Sequence, residues 1–381
     1  MNHQEDRIVV TGMGTVSAHG VDDQALWSSI RNGDLPPRHT HSNPSETPPV
    51  VRVDKFQAAD ILGKKGLQFM QPSSLFLCAA SLAALSNASI DLNTVDPDQL
   101  GIVISTNYSG FKVSSQFDQT TITEGPKHIS PMEVPNGLVN APASHLAIRI
   151  QSRACNTTIS SGFCAGLDAI GYGISMLRKK NADFVVVGGT DEWNDEVHWY
   201  YNHAGLLSAG PKGSLIPGEG AAVVVLERYE DAIRRKANIL GEITSWYSCF
   251  APVANQEARI KGFMRCMDTV IQNGTAPNHE VDLVITSTNG LVDQDHIELT
   301  AINEKFKQVP ILDIKKTIGE TSGAGGLFQV ISSIHAIKDN AIPSHALVNG
   351  SSNETDSIST VLLTANDLFG GISSVLVKAV S

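Results

Sequence analysis

Four short runs of β-branched residues, apolar on both faces and closed off by glycine, constrain this chain more than any other feature. They are residues 7–12 (RIVVTG), 101–105 (GIVIS), 184–189 (FVVVGG) and 221–226 (AAVVVL). A strand with two apolar faces must be covered on both, so these runs predict central strands of a sheet with helices above and below. Helical patterns lie between them. Residues 75–85 (LFLCAASLAAL) carry no charge and predict a helix buried nearly all round. Residues 167–180 predict another, with Arg178, Lys179 and Lys180 at its C-terminal end, where cations offset the negative end of the helix dipole. After about residue 246 the alternation restarts, with 281–286 (VDLVIT), 310–314 (PILDI), a glycine-rich turn, a helix over 327–338 and strands near Val361 and Val375. The pattern predicts a layered α/β architecture in two units, 1–246 and 247–381. A chain of 381 residues is long enough to give each a core.

Charge and composition narrow the partners. A net charge of −11 argues against nucleic acid or an anionic membrane surface. No apolar run is long enough to span a bilayer, and the first seven residues, MNHQEDR, do not resemble a signal peptide, so a cytoplasmic location is expected. The five cysteines, Cys78, Cys155, Cys164, Cys249 and Cys266, have no metal-ligand spacing and predict free thiols in a reducing compartment. His39 and His41 have no flanking ligands and predict a solvated loop rather than a metal site. Gly12-Met13-Gly14 could open a dinucleotide fingerprint, but the third glycine is absent and no acidic residue ends a second strand. Composition and periodicity alone leave that fold class open.

The segment 158–171 (TISSGFCAGLDAIG) resembles the active-site turn of the β-ketoacyl synthases. Further segments are similar to theirs in the same order: 9–14 (VVTGMG), the stretch from Gly125 to Asn140, 188–192 (GGTDE) and 217–221 (PGEGA). The resemblance implies a thiolase-like fold, a five-layer αβαβα sandwich of two similar halves that works as a dimer.

Aligned on those motifs, the chemistry is missing. The place of the family's nucleophilic cysteine, counted from Ile170-Gly171, falls on Phe163. Its two histidines fall on Ser287, within 287–295 (STNGLVDQD), and on Glu320, within 315–324 (KKTIGETSGA), where Lys315 is retained. In these synthases a thiolate at a helix N-terminus holds the acyl chain and the histidines polarise carbonyls during malonyl decarboxylation. Phe163 has no nucleophilic atom; once buried, its ring contributes about 1.5–3 kcal/mol of packing. Glu320 beside Lys315 predicts an ion pair. Cys164 offers an alternative, a divergent synthase or acyltransferase acting through the adjacent thiol. A one-residue step at a helix start turns the side chain by about 100°, however, which favours a core role. Residues 209–214, before Pro217, are short and lack the family's Arg/Asp pattern. The gating loop Phe369-Gly370-Gly371 keeps its glycines but not the accompanying Thr-Asn pair.

Within the family the best likeness is to the chain-length factors, the beta subunits of type II polyketide synthases. That likeness implies a non-catalytic subunit paired with a catalytic ketosynthase alpha subunit, as a heterodimer or a dimer of heterodimers. It implies no cofactor of its own; substrates borne on phosphopantetheine bind through the partner, as does the acyl carrier protein. Tyr108, Phe111, Phe117, Met132 and Glu133 are the candidates for the wall of the shared polyketide tunnel, where growth stops when another unit would overlap packed side chains. A homodimeric pseudo-synthase that only binds acyl groups is a third reading.

Overall fold

The computed structural model describes residues 7–35, 38–39, 49–207, 213–274, 281–348 and 357–380. His41, placed by the sequence in a solvated loop, and residues 209–212 of the shortened 209–214 loop lie outside these, and His39 is described by its backbone alone.

Ten strands form the main sheet: β1 (Ile8–Val16), β2 (Leu100–Ser105), β3 (Asn156–Ile159), β4 (Phe184–Asp191), β5 (Gly220–Arg228), β6 (Gly241–Phe250), β7 (Leu283–Ile285), β8 (Ile311–Leu312), β9 (Thr360–Asn366) and β10 (Gly371–Lys378). Their order across the sheet is β8-β7-β9-β10-β6-β1-β5-β4-β2-β3. Read outward from the middle, each half runs first, fifth, fourth, second, third. The pairings agree as well. β3, β2 and β4 are parallel, as are β8, β7 and β9; β5 and β10 are antiparallel to both neighbours. The halves therefore repeat one topology. They are joined where β1 meets β6 antiparallel, Ile8 opposite Ile243 and Val10 opposite Gly241. Residue 246, where the sequence pattern restarts, falls inside β6.

The helices that matter for the site are α1 (Pro72–Asn87), α2 (Phe111–Thr123), α3 (Ala141–Ile150), α4 (Ala165–Arg178), α5 (Asp195–His203), α6 (Gln256–Asn273), α7 (Val292–Lys305) and α8 (Gly325–Asp339). Three large hydrophobic clusters separate five layers. In one, α1 and α3 cover the outer face of the N-terminal half; in another, α6 and α7 cover the outer face of the C-terminal half. Between the two halves lie α4 and α8, with Leu167, Ile170, Leu327 and Ile331 fully buried against strands of both. This is the αβαβα sandwich.

Gly12 and Gly14 belong to that packing and not to a nucleotide site. Both lie in β1, and a Cβ would stand 2.1 Å from the Ala84 carbonyl oxygen at Gly12 and 2.2 Å from that of Ala80 at Gly14. Only glycine lets α1, apolar nearly all round, approach β1 so closely.

Candidate functional site

The turn 160–164 leaves the end of β3, makes one tight 3-10 turn (Gly162–Cys164) and enters α4. Its geometry requires Gly162, which has φ +63° and whose Cβ would lie 1.8 Å from the Asp367 carboxylate. Asn107 holds the turn from the other side. Its Oδ1 accepts the Gly162 N–H at 3.0 Å, and its Nδ2 donates to Gly162 O at 2.9 Å and to Ser322 Oγ at 2.8 Å.

Phe163 and Cys164 point into different interiors. The Phe163 ring, 5% exposed, packs with Trp193, Val197, Tyr201, Leu207, Leu215 and Leu291. Cys164 belongs instead to the central core with Leu167 and Leu327. Burial pushes the Cys164 thiol well above its ordinary pKa, and the nearby carboxylates of Asp168, Asp367 and Glu298 push the same way. A buried thiol held protonated is the opposite of an activated nucleophile.

Ser287 and Glu320 do lie beside the ring, together with Lys315. Lys315 Nζ stands 5.6 Å from the Phe163 ring centroid, bonds Glu320 Oε2 at 2.5 Å and donates to Ser287 O at 3.0 Å. The ion pair expected from the sequence is thus present, with the Glu320 side chain fully buried. Glu320 is committed further. Its Oε2 accepts from Asn289 Nδ2 at 2.8 Å and its Oε1 from the Ser322 N–H at 2.8 Å. Ser287 gives both its N–H (2.9 Å) and its hydroxyl (2.7 Å) to Glu298, which also accepts from Thr364 Oγ1 at 2.5 Å. Burial pushes the Glu298 carboxyl up to about 7 despite these donors. The cavity left among Phe163, Ser287, Asn289, Leu291, Glu298 and Leu368 measures about 10 Å³. That admits one water at most, and no acyl chain.

Asp367, which the sequence does not single out, completes the filling. Its Oδ1 accepts the Phe163 N–H at 3.2 Å and its Oδ2 accepts the Phe369 N–H at 2.8 Å. Two backbone donors that converge on one point make an anion site, and here the chain's own carboxylate occupies it. Fully buried Arg259 secures the segment by donating to Asn366 Oδ1 and, at 3.0 Å, to the Asp367 carbonyl. Of the three residues that the resemblance assigns to a gating loop, Phe369 is exposed, Gly370 has φ +107° and Gly371 begins β10.

A second region lies between α2 and α5. A cleft of about 540 Å³ is lined by Phe111, Ser114, Ile122, Asp195, Glu196 and Trp199. Next to it, one of about 350 Å³ is lined by Tyr108, Phe111, Ser114, Val139 and Tyr200. Tyr108 is placed by Asp191, whose Oδ1 accepts its N–H at 2.9 Å, and its ring lies 5.9 Å from Tyr200 and 5.5 Å from Tyr201. Burial pushes the Asp191 carboxyl up to about 6. Phe117 packs beside Gly137 instead of lining either cleft. Met132 points to solvent, and Glu133 accepts from Asn136 Nδ2 at 3.1 Å; neither lines the clefts. Trp199 and Tyr200 were missed, although the aromatic run in α5 (DEVHWYYNH) was the available signal.

The β-ketoacyl synthase N-terminal domain family matches residues 5–232 and the C-terminal domain family matches residues 243–349. The chain belongs to the β-ketoacyl synthase family. It is 24% identical over 371 residues to a 3-oxoacyl-[acyl-carrier-protein] synthase 2 of Coxiella burnetii, covering 89% of this chain and 88% of that protein. It is 26% identical over 359 residues to the actinorhodin polyketide putative beta-ketoacyl synthase 2 of Streptomyces coelicolor, covering 88% and 86%. Among solved structures, the ishigamide ketosynthase/chain length factor shares the fold with a TM-score of 0.86 at 18% identity, over 98% of this chain and 99% of that one. A type II polyketide synthase acyl-carrier protein in complex with its ketosynthase, AntDE:AntF, shares it with a TM-score of 0.79 at 19% identity, over 98% and 99%. Among the described residues, no helix is long and apolar enough to cross a membrane.

Proposed function

We propose that this chain is a non-catalytic ketosynthase-like subunit that pairs with a catalytic ketosynthase and limits the length of the polyketide made by the pair. One observation carries the reading. The nucleophile's place is a buried phenylalanine in a cavity of about 10 Å³, and the backbone donors beside it are taken by Asp367. A synthase needs a thiolate, room for a thioester beside it and free donors for its oxyanion, and the place of Phe163 offers none of them. Its substrates would be phosphopantetheine-borne chains reaching it through the partner, so no cofactor of its own is required.

Surface features support a partner. Ile122, Met132, Val134, Leu138, Val139 and Ile148, on α2, α3 and the segment between them, are all exposed large apolar side chains. β3 is the outer strand at one end of the sheet and pairs only with β2. An unpaired strand edge with an apolar surface around it suits association. Ile122 and Val139 of this surface also line the two clefts between α2 and α5, which supports reading the cleft walls as the end of a tunnel that begins in the partner. The acyl carrier protein would dock mainly on that partner, since both it and this chain are acidic.

The test is to purify the chain alone and together with a catalytic ketosynthase, supply malonyl-carrier protein and measure carbon dioxide release and condensation. The chain alone should do neither, and the pair should do both. Decarboxylation by the chain alone, or a stable acyl adduct on Cys164, overturns the proposal.

A further inference from the structure

Behind Phe163, three side chains of complementary reactivity meet on one oxygen. Glu320 Oε2 accepts from Lys315 Nζ at 2.5 Å and from Asn289 Nδ2 at 2.8 Å, so an amine and an amide flank a single carboxylate atom. Each is held from elsewhere as well. The Lys315 backbone N–H donates to Asp313 Oδ1 at 2.9 Å, and its Nζ donates to Ser287 O at 3.0 Å. The Asn289 N–H donates to Asp295 Oδ1 at 3.0 Å, and Asn289 Oδ1 accepts the Leu291 N–H at 3.3 Å. Glu320 Oε1 is fixed by the Ser322 N–H at 2.8 Å.

The surroundings set this trio apart. The Lys315 and Glu320 side chains are 4% and 0% exposed, and the Phe163 ring centroid lies 5.6 Å from Nζ. Two other lysine–carboxylate pairs, Lys261–Glu257 and Lys305–Asp268, are reached by water. A proton passed from Lys315 to Glu320 leaves a neutral amine and a neutral acid, the forms that a poorly solvating interior favours. A neutral lysine amine is a nucleophile, and holding it beside its target makes the attack intramolecular. The Leu291 N–H polarises the Asn289 amide carbonyl. A cavity of about 360 Å³ borders Asn289, Lys315 and Glu320 and gives a small leaving molecule room to depart.

We propose that Lys315 and Asn289 join through an isopeptide bond that the folded chain forms by itself, with Glu320 relaying the proton. Lys315 Nζ, having given one proton to Glu320, attacks Asn289 Cγ with its lone pair. Glu320 hands that proton to Asn289 Nδ2 and takes one from the attacking nitrogen. The Cγ–Nδ2 bond breaks, its electron pair leaves with the nitrogen as ammonia, and the new Nζ–Cγ bond remains. In sum, one amine and one primary amide give one secondary amide and one ammonia, with no oxidant or reductant. The bond ties the turn after β7 to the helical turn Lys315–Ile318 and so fixes the wall behind Phe163. The inference is independent of the function proposed above.

The experiment incubates the folded full-length chain at neutral pH, measures its intact mass under denaturing conditions and maps its tryptic peptides by tandem mass spectrometry. The expected result is a chain lighter than its sequence by one ammonia, a branched peptide joining Asn289 to Lys315, and no tryptic cleavage after Lys315. Glu320→Gln keeps the amine and the amide but removes the proton relay, and should retain the full sequence mass with Lys315 cleavable. The wild-type map alone decides the matter if that variant fails to fold. Because Gly290 follows Asn289, ammonia could also leave through a succinimide. That product is a linear peptide with Lys315 free, and finding it overturns the proposal. A wild-type chain that keeps its full sequence mass, with trypsin cutting after Lys315, overturns it as well.

Discussion

The Asp367 carboxylate is bound by the turn that carries Phe163, accepting the Phe163 N–H at 3.2 Å and the Phe369 N–H at 2.8 Å. One side chain therefore ties the start of α4 to the loop 367–371. Replacing Asp367 by alanine leaves the Phe163 and Phe369 N–H groups without this acceptor and removes a carboxylate that favours the charge of buried Arg259. An unsatisfied buried group costs about 1–3 kcal/mol. Asp367→Ala is expected to lower the urea midpoint by a corresponding amount with little change in the slope of the transition.

Phe163 is a packing residue on this reading, so its truncation should cost stability and gain no chemistry. Phe→Ala in a core costs about 3–5 kcal/mol. Phe163→Cys puts a thiol at the helix start, but Ser287 is committed to Glu298 and Glu320 to Lys315. We expect Phe163→Cys to be alkylated by iodoacetamide and still release no carbon dioxide from malonyl-carrier protein.

Lys315 and Glu320 test whether the buried pair is structural. Removing one partner of such a pair costs about 3–5 kcal/mol, because the other charge is left unpaired in a poor solvent. Lys315→Met and Glu320→Gln should each destabilise strongly, and the double variant should lose less than the sum of the two. Additive losses in a thermodynamic cycle would show that the two side chains act independently.

Much of the fold was legible because the buried strands β1, β2, β4 and β5 are β-branched runs that nothing but a covered sheet accommodates. β3 was missed: its four residues, NTTI, sit at an exposed edge and are mostly polar. β6 was missed because GEITSWYSCF mixes polar and apolar residues on faces met by α6 on one side and Trp246's neighbours on the other. At the site, glycine-governed turns made the counting possible; Phe163, Ser287, Glu320 and Lys315 lie side by side, and the expected Lys315–Glu320 ion pair is present. Asp367 was not legible, since its role depends on a loop returning 204 residues later in the chain to meet Phe163. Trp199 and Tyr200 come to line the clefts only through the approach of α5 to α2, a tertiary relation that periodicity does not contain.

The carboxyl of Glu298 predicts how stability changes with pH. Its folded pKa, about 7, lies above the ordinary carboxylate value. The native state therefore holds this proton more tightly than the unfolded chain does. Its contribution is full below the unfolded pKa of about 4.3 and is lost as pH rises through the folded value, an effect of up to about 4 kcal/mol. Asp191 and Asp313, both pushed up to about 6 by burial, act in the same direction. Denaturant unfolding should show stability falling from pH 5 to pH 7.5, and Glu298→Gln should flatten the slope. An unchanged slope in that variant would assign the dependence to other groups.

The clefts between α2 and α5 give the proposed function its sharpest test, because shape alone is at stake there. Phe111 and Ser114 line both clefts, and Trp199 and Tyr200 close them from α5. If growth ends when the next two-carbon unit meets this wall, then removing part of the wall must lengthen the product. Intruding on a packed wall costs about 1–3 kcal/mol per group, enough to shift a product distribution several-fold. Trp199→Ala should move the products of the assembled pair toward longer chains, and Ser114→Phe, which fills space from the α2 side, toward shorter ones. Neither side chain touches Phe163, so the rate of malonyl decarboxylation by the partner should stay unchanged. Product mass spectra from the reconstituted pair read both effects at once. A length distribution indifferent to both substitutions would place the tunnel end elsewhere.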